Sequence, residues 1–173
     1  MSDRVTNILL VGVGGQGILL AATASILLLL ARVSRPHVAF LGRVPGTNSY
    51  SDIDRHPENE PPPGAIAFRP EASVIYVNAD AVLEAVLERL RKPASPAIRL
   101  AVCDLSAAPY LDLAATRMLH ELHAELAARG VTLRVVGAHG VARDLLRADG
   151  VEEKVGGLER TATLETVLRT HVP

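Results

Sequence analysis

The chain has 173 residues, enough for one compact domain plus an appendage and too few for a multi-helix transporter. A formal net charge of −1, 3% aromatic residues and no Trp exclude a phosphate-backbone binder and a base-stacking platform, so no nucleic-acid partner is expected. One cysteine, Cys103, excludes an internal disulfide framework and any CxxC metal or redox motif; lying in an apolar run, it reads as a small buried hydrophobe.

Residues 5–31 contain no charged side chain, which meets the length that a membrane-spanning helix needs. A cleaved signal peptide fits poorly, because the run is too long and no small-residue cleavage site follows it. Its second half, from Ile18 to Leu30, is helix-forming, whereas its first half carries Gly12, Gly14, Gly15 and Gly17. Those glycines follow the apolar stretch 8–11 as a strand-then-glycine-loop pattern that could cradle a phosphate. Segment 1–33 is therefore expected as either a membrane helix or a strand-loop-helix. No acidic residue stands at the position that would bind a ribose, so the nucleotide reading rests on the glycines alone.

Arg32, Arg35, His37 and Arg43 come next, with no acidic residue before Asp52. On a spanning helix this cluster places the C-terminal side in the cytoplasm. Residues 34–63 read as a basic and then proline-rich linker, closed by Pro61, Pro62, Pro63 and Gly64.

From residue 64 to 171 short strands alternate with helices. Runs 65–68 and 74–77 suggest a hairpin-like pair, and Asn78 or Asp80 can cap a helix with Ala79, Val82, Leu83, Val86, Leu87 and Leu90 on its inner face. Pro93 is expected to stop that helix. Residues 98–103 form a central strand ending at Asp104, and loop 104–112 leads to a helix reaching about Arg129, with Ala115, Leu119, Leu122 and Leu126 inward. A strand at 131–136 and helices at 141–148 and 163–169 complete the order. This alternation implies an α/β fold with a mixed, mostly parallel sheet.

Asp112 reads as a helix N-cap, and Ser106 as a turn residue. Asp104, at a strand's carboxyl end, could line a ligand or partner surface. His120 and His123 share a helix face but lack a HExxH pattern or a companion ligand pair, so a helix surface is the reading and no metal site is expected.

Several blocks resemble the C-terminal STAS domain of SulP-type sulfate and bicarbonate transporters. They are residues 34–47, the block 52–59 ending in His56-Pro57-Glu58-Asn59, residues 74–79, Asp104-Leu105-Ser106, Asp112-Leu113-Ala114, Leu119-His120-Glu121-Leu122 and residues 141–147. The resemblance spans about residues 24–168. It implies a STAS-like α/β sheet with helices packed on one side, preceded by an apolar N-terminal segment. It also implies a non-catalytic cytosolic regulatory module without cofactors, whose partner is a transporter membrane domain or a cytosolic protein; a nucleotide or a second copy of the chain are further candidates. Related anti-sigma-factor antagonists carry a phosphorylatable Ser directly after the Asp, where this chain has Leu113. The partner-binding loop implied is Asp104, Ser106 and Asp112. Separately, residues 6–21 resemble the opening of the beta subunit of indolepyruvate and related 2-oxoacid ferredoxin oxidoreductases, over those residues only.

Overall fold

A computed structural model describes residues 3–92 and 96–171, with side chains over 17–92 and 96–170. The chain divides into two compact units, Met1–Arg35 and Pro36–Pro173. The first is a single helix, α1 (Asp3–Ser34). Within it Gly17–Ser34 is long and apolar enough to cross a membrane, and none of that span is buried in the protein. The hydroxyls of Thr23 and Ser25 donate to the carbonyls of Leu19 and Ala21 at 2.8 Å, satisfying themselves on their own helix. Gly12, Gly14, Gly15 and Gly17 all lie inside α1, so the strand-loop-helix alternative is not the arrangement found. A helical backbone directs its N–H groups into its own ladder, and no open loop remains there to wrap a phosphate.

The second unit is built on a five-stranded sheet in the order β2-β1-β3-β4-β5. Its strands are β1 (Val38–Arg43), β2 (Tyr50–Asp52), β3 (Ala65–Pro70), β4 (Leu100–Asp104) and β5 (Thr132–Val136). β1 runs antiparallel to both β2 and β3, while β3, β4 and β5 are mutually parallel. The sheet is thus mixed and mostly parallel: β2, β3, β4 and β5 run one way and β1 runs against them. Segment 34–63, expected as a linker, instead supplies β1 and β2. Val38 and Phe40 point into one apolar layer and Ala39 and Leu41 into the other, the period-two alternation of a strand covered on both faces.

The helices are α2 (Ala79–Arg91), α3 (Leu113–Ala127), α4 (Gly140–Ala148), α5 (Val151–Lys154) and α6 (Leu164–His171). Residues from α2 through α5 close the larger core against Phe40, Ile66, Phe68, Ala101, Cys103, Leu133 and Val135. Helices are not confined to one side: Leu164, Val167 and Leu168 of α6 pack on Ala39, Leu41, Ala67, Leu100 and Val102 across the sheet. Thr163 caps α6, its hydroxyl accepting the Thr166 N–H at 3.2 Å.

The hairpin expected over 65–77 does not form. Val74 makes only an isolated parallel bridge to Leu111. The cause is Asn78, whose side-chain oxygen accepts the Ile75 N–H at 2.8 Å while its amide donates to the Ser73 carbonyl at 3.0 Å, curling residues 75–78 into a turn. That use of the side chain also explains why Asn78 precedes α2 without capping it. Pro93, the expected stop of this helix, lies outside the described residues; α2 itself ends at Arg91.

Candidate functional site

The three parallel strands end together, and the loops that follow them lie at one end of the sheet. β1 begins at this same end, because Val38 is paired with Pro70. After β4 the chain turns at Asp104, whose Oδ1 accepts the Ser106 N–H at 3.0 Å. The other carboxylate oxygen lies 3.8 Å from the Arg69 guanidinium on β3. Gly137, with φ +70°, presses against this turn from β5: a Cβ there would stand 2.6 Å from Asp104 Oδ1 and 2.9 Å from the Ser106 nitrogen. Only glycine combines that backbone with that clearance. His139 Nε2 lies 3.1 Å from the Ser106 carbonyl, tying the loop after β5 to the loop after β4.

Asp112 caps α3, its Oδ1 accepting the Ala114 and Ala115 N–H groups at 2.8 and 3.2 Å. Its Oδ2 accepts the Tyr76 N–H at 2.8 Å, so one carboxylate also anchors the loop after β3. Asp104 and Asp112 therefore hold loops in place rather than offering free charge. Ser106 is exposed, and the imidazole nearest it faces its carbonyl.

Beside exposed polar groups, this end of the sheet presents several large apolar side chains. Tyr76 is 82% exposed, Val141 75%, Leu113 58% and Tyr110 56%, with Val77 also exposed. Sequence reading missed this set, since each residue reads as one apolar position among turn formers. The available signal was three large side chains, Tyr76, Tyr110 and Leu113, within or just after segments whose polar neighbours make the turns. Monomeric protein surfaces mostly scatter such residues singly.

His120 takes a structural part elsewhere. Its Nε2 lies 3.0 Å from both the Asp149 carbonyl and Oδ2, joining α3 to the end of α4. Hydrogen bonding from Thr116, joined by weaker contributions from His120 and Arg117, holds the Asp149 carboxyl below the usual range and outweighs burial, the second-largest effect. Among the described residues no group of three His, Cys, Asp or Glu side chains could hold a metal ion. Burial in the core pushes the Cys103 thiol far up, so it stays protonated.

The STAS domain family matches residues 56–167, more than half of the chain. A probable sulfate transporter of Mycobacterium tuberculosis is 31% identical over 153 residues, 88% of this chain and 27% of the relative. High affinity sulfate transporter 2 of Stylosanthes hamata is 26% identical over 164 residues, 91% of this chain and 25% of the relative. The chain thus spans about a quarter of the length of these curated relatives. Among solved structures, the murine solute carrier 26 family member A9 anion transporter in the inward-facing state shares the fold, with a TM-score of 0.73 and 17% identity over 89% of this chain and 25% of that one.

Proposed function

Because the chain belongs to the STAS domain family, we propose that it is the regulatory and interaction domain of a SulP-like anion transporter, acting by docking rather than by catalysis. The anion class suggested by the relatives' names is sulfate, with bicarbonate as the family's other substrate. The face we assign to docking is the loop surface of Tyr76, Tyr110, Leu113 and Val141, anchored beneath by Asp104 and Asp112. The carrying observation is the exposure of those side chains on, or in the first helical turn after, three loops that hydrogen bonds join to one another. Tyrosines combine apolar area with a polar tip and are enriched at protein interfaces. The partner on this reading is a transporter membrane domain.

Leu113 weighs against the phosphorylation switch of anti-sigma-factor antagonists. Its side chain occupies the first turn of α3 without a hydroxyl to modify, and adds apolar surface instead. We place the second unit in the cytoplasm with α1 in the membrane. The basic cluster favouring that orientation is narrower than its sequence suggests, since His37 pairs with Asp52 at 2.7 Å and Arg43 with Glu60 at 2.5 Å. Arg32 and Arg35 carry the argument.

The test is site-specific photo-crosslinking of the full chain in membranes that also contain the membrane domain of a sulfate-transporter relative. Crosslinks are expected from positions 76, 113 and 141 and not from Glu125 on the exposed side of α3. Equal yields from all four positions, or none from the loops, would count against the docking face.

A further inference from the structure

The opposite end of the sheet carries a cavity of about 470 Å³ with a different chemistry. It exists because β1 and β3 part company. They pair from Val38 and Pro70 to Phe40 and Phe68 and no further. Beyond that point Arg43 exchanges backbone hydrogen bonds with Glu60, at 2.8 and 2.9 Å. The chain then returns to β3 through Pro61, Pro62 and Pro63. Prolines have no N–H to donate, so this strap cannot zip the opening shut as a strand would. A Cβ at Gly42 would meet Ile53 at 2.8 Å and Asn59 at 3.0 Å, so β1 packs closely on Asn59 and on Ile53, itself a wall of the cavity.

The walls are apolar: the prolines, Phe40, Ile53, Ile66 and Ile98 contribute no hydrogen-bonding side chain. The charged lining groups are two cations, Arg89 and Lys92, from the end of α2. Arg89 is held in position, its guanidinium carbon 5.0 Å from the Phe40 ring centroid and its Nη1 3.6 Å from Asp54 Oδ1. Lys92 is exposed and directly follows the helix. A 470 Å³ space falls in the range of small-molecule pockets, which typically combine apolar walls with a few placed polar groups.

We propose that this cavity binds an amphipathic anion, an alkyl chain lying between the proline strap and β3 with a single anionic head at Arg89 and Lys92. Apart from the two cations the lining side chains offer a hydroxyl-rich ligand no hydrogen-bond partners, which favours a ligand that is mostly apolar. A cation would meet like charge. The site lies at the amino ends of β3 and β4, away from the docking loops, and stands independently of the function proposed for them.

The test uses the full chain in lipid nanodiscs with ¹³C-labelled isoleucine δ1 methyls, titrated with octanoate. Ile53, Ile66 and Ile98 line the cavity, Ile75 sits at the other end of the sheet, and Ile18 and Ile26 on α1 report octanoate that merely enters the bilayer. Saturable shifts at Ile53, Ile66 and Ile98 with Ile75 unmoved are expected. Lys92→Gln alone should weaken binding several-fold, and the double variant with Arg89→Gln roughly tenfold or more, the usual scale for hydrogen bonds to a charged head. An unmoved Ile75 methyl in the variants checks that they remain folded. Octanol producing the same shifts at the same concentrations would overturn the proposal, as would shifts confined to Ile18 and Ile26.

Discussion

Deleting residues 36–63, so that the chain starts at Gly64, removes β1 and β2 and leaves β3 as a raw sheet edge. Val38, Phe40 and Leu41 are each at most 8% exposed in the intact unit. Fully burying a side chain of this kind stabilises by about 1.5–3 kcal/mol. Loss of the three therefore costs roughly 5–9 kcal/mol, before counting the unpaired backbone of β3. A domain of this size is typically stable by only about 5–15 kcal/mol, so the shortened chain should not fold cooperatively. The assay is urea denaturation followed by far-UV circular dichroism on residues 36–173 and 64–173. The longer fragment should give one sigmoidal transition and the shorter a shallow drift. If residues 64–173 unfolded cooperatively within about 1 kcal/mol of the longer fragment, near the extrapolation error, β1 would not be part of the core as argued.

Three further outcomes can be read on residues 36–173. Gly137→Ala should lose about 2–4 kcal/mol, combining a left-handed backbone with a Cβ driven into the Asp104 turn. Gly46→Ala, with φ +74° and nothing within 4 Å, should lose only about 1–2 kcal/mol; equal losses by urea titration would remove the packing argument. Asp112→Ala should cost about 1–2 kcal/mol by uncapping α3 and releasing Tyr76, whereas Asp112→Asn should keep most of the stability, because Asn caps nearly as well. The fourth outcome concerns pH. Burial alone would raise the Asp52 carboxyl, but hydrogen bonds from His37 and the Asp54 N–H, with the charges of His37 and Arg55, together bring it below its usual range. A carboxyl lowered on folding contributes stability that is present above the unfolded value of about 4 and lost as pH falls through the lower folded one. Asp52→Asn should therefore be less stable at pH 7 yet lose less between about pH 5 and 2; parallel pH profiles for the two proteins would contradict this.

Much of the second unit could be read from periodicity. Helical spacing located α2 and α3, each with one buried face, and the apolar run ending at Asp104 located β4, which is buried on both faces. β1 escaped for a physical reason. Four apolar residues between His37 and Arg43, soon after a membrane-length segment, look like its basic flank; only their pairing with β3 shows them to be central. The run 74–77 failed the other way. Its β-branched composition suggests a strand, but one asparagine side chain organises it as a turn. Asp112 could be read as a cap, whereas its bond to Tyr76 joins residues 36 apart in sequence and arises only from the tertiary fold. The proline strap read as the stiff end of a linker because its missing N–H groups were legible and the cavity they leave was not.

The most direct test of the docking account is anion uptake by a chimera. In it, only the part of the Mycobacterium tuberculosis relative that corresponds to residues 36–173 is replaced by those residues, and its own membrane helices are kept. Labelled sulfate entry into vesicles is then compared for the parent chimera and for one carrying Tyr76→Ser, Leu113→Ser and Val141→Ser, both checked for equal insertion. The account predicts that the chimera takes up sulfate and that the triple variant, folded and inserted, is markedly slower. Equal uptake by the two would contradict it.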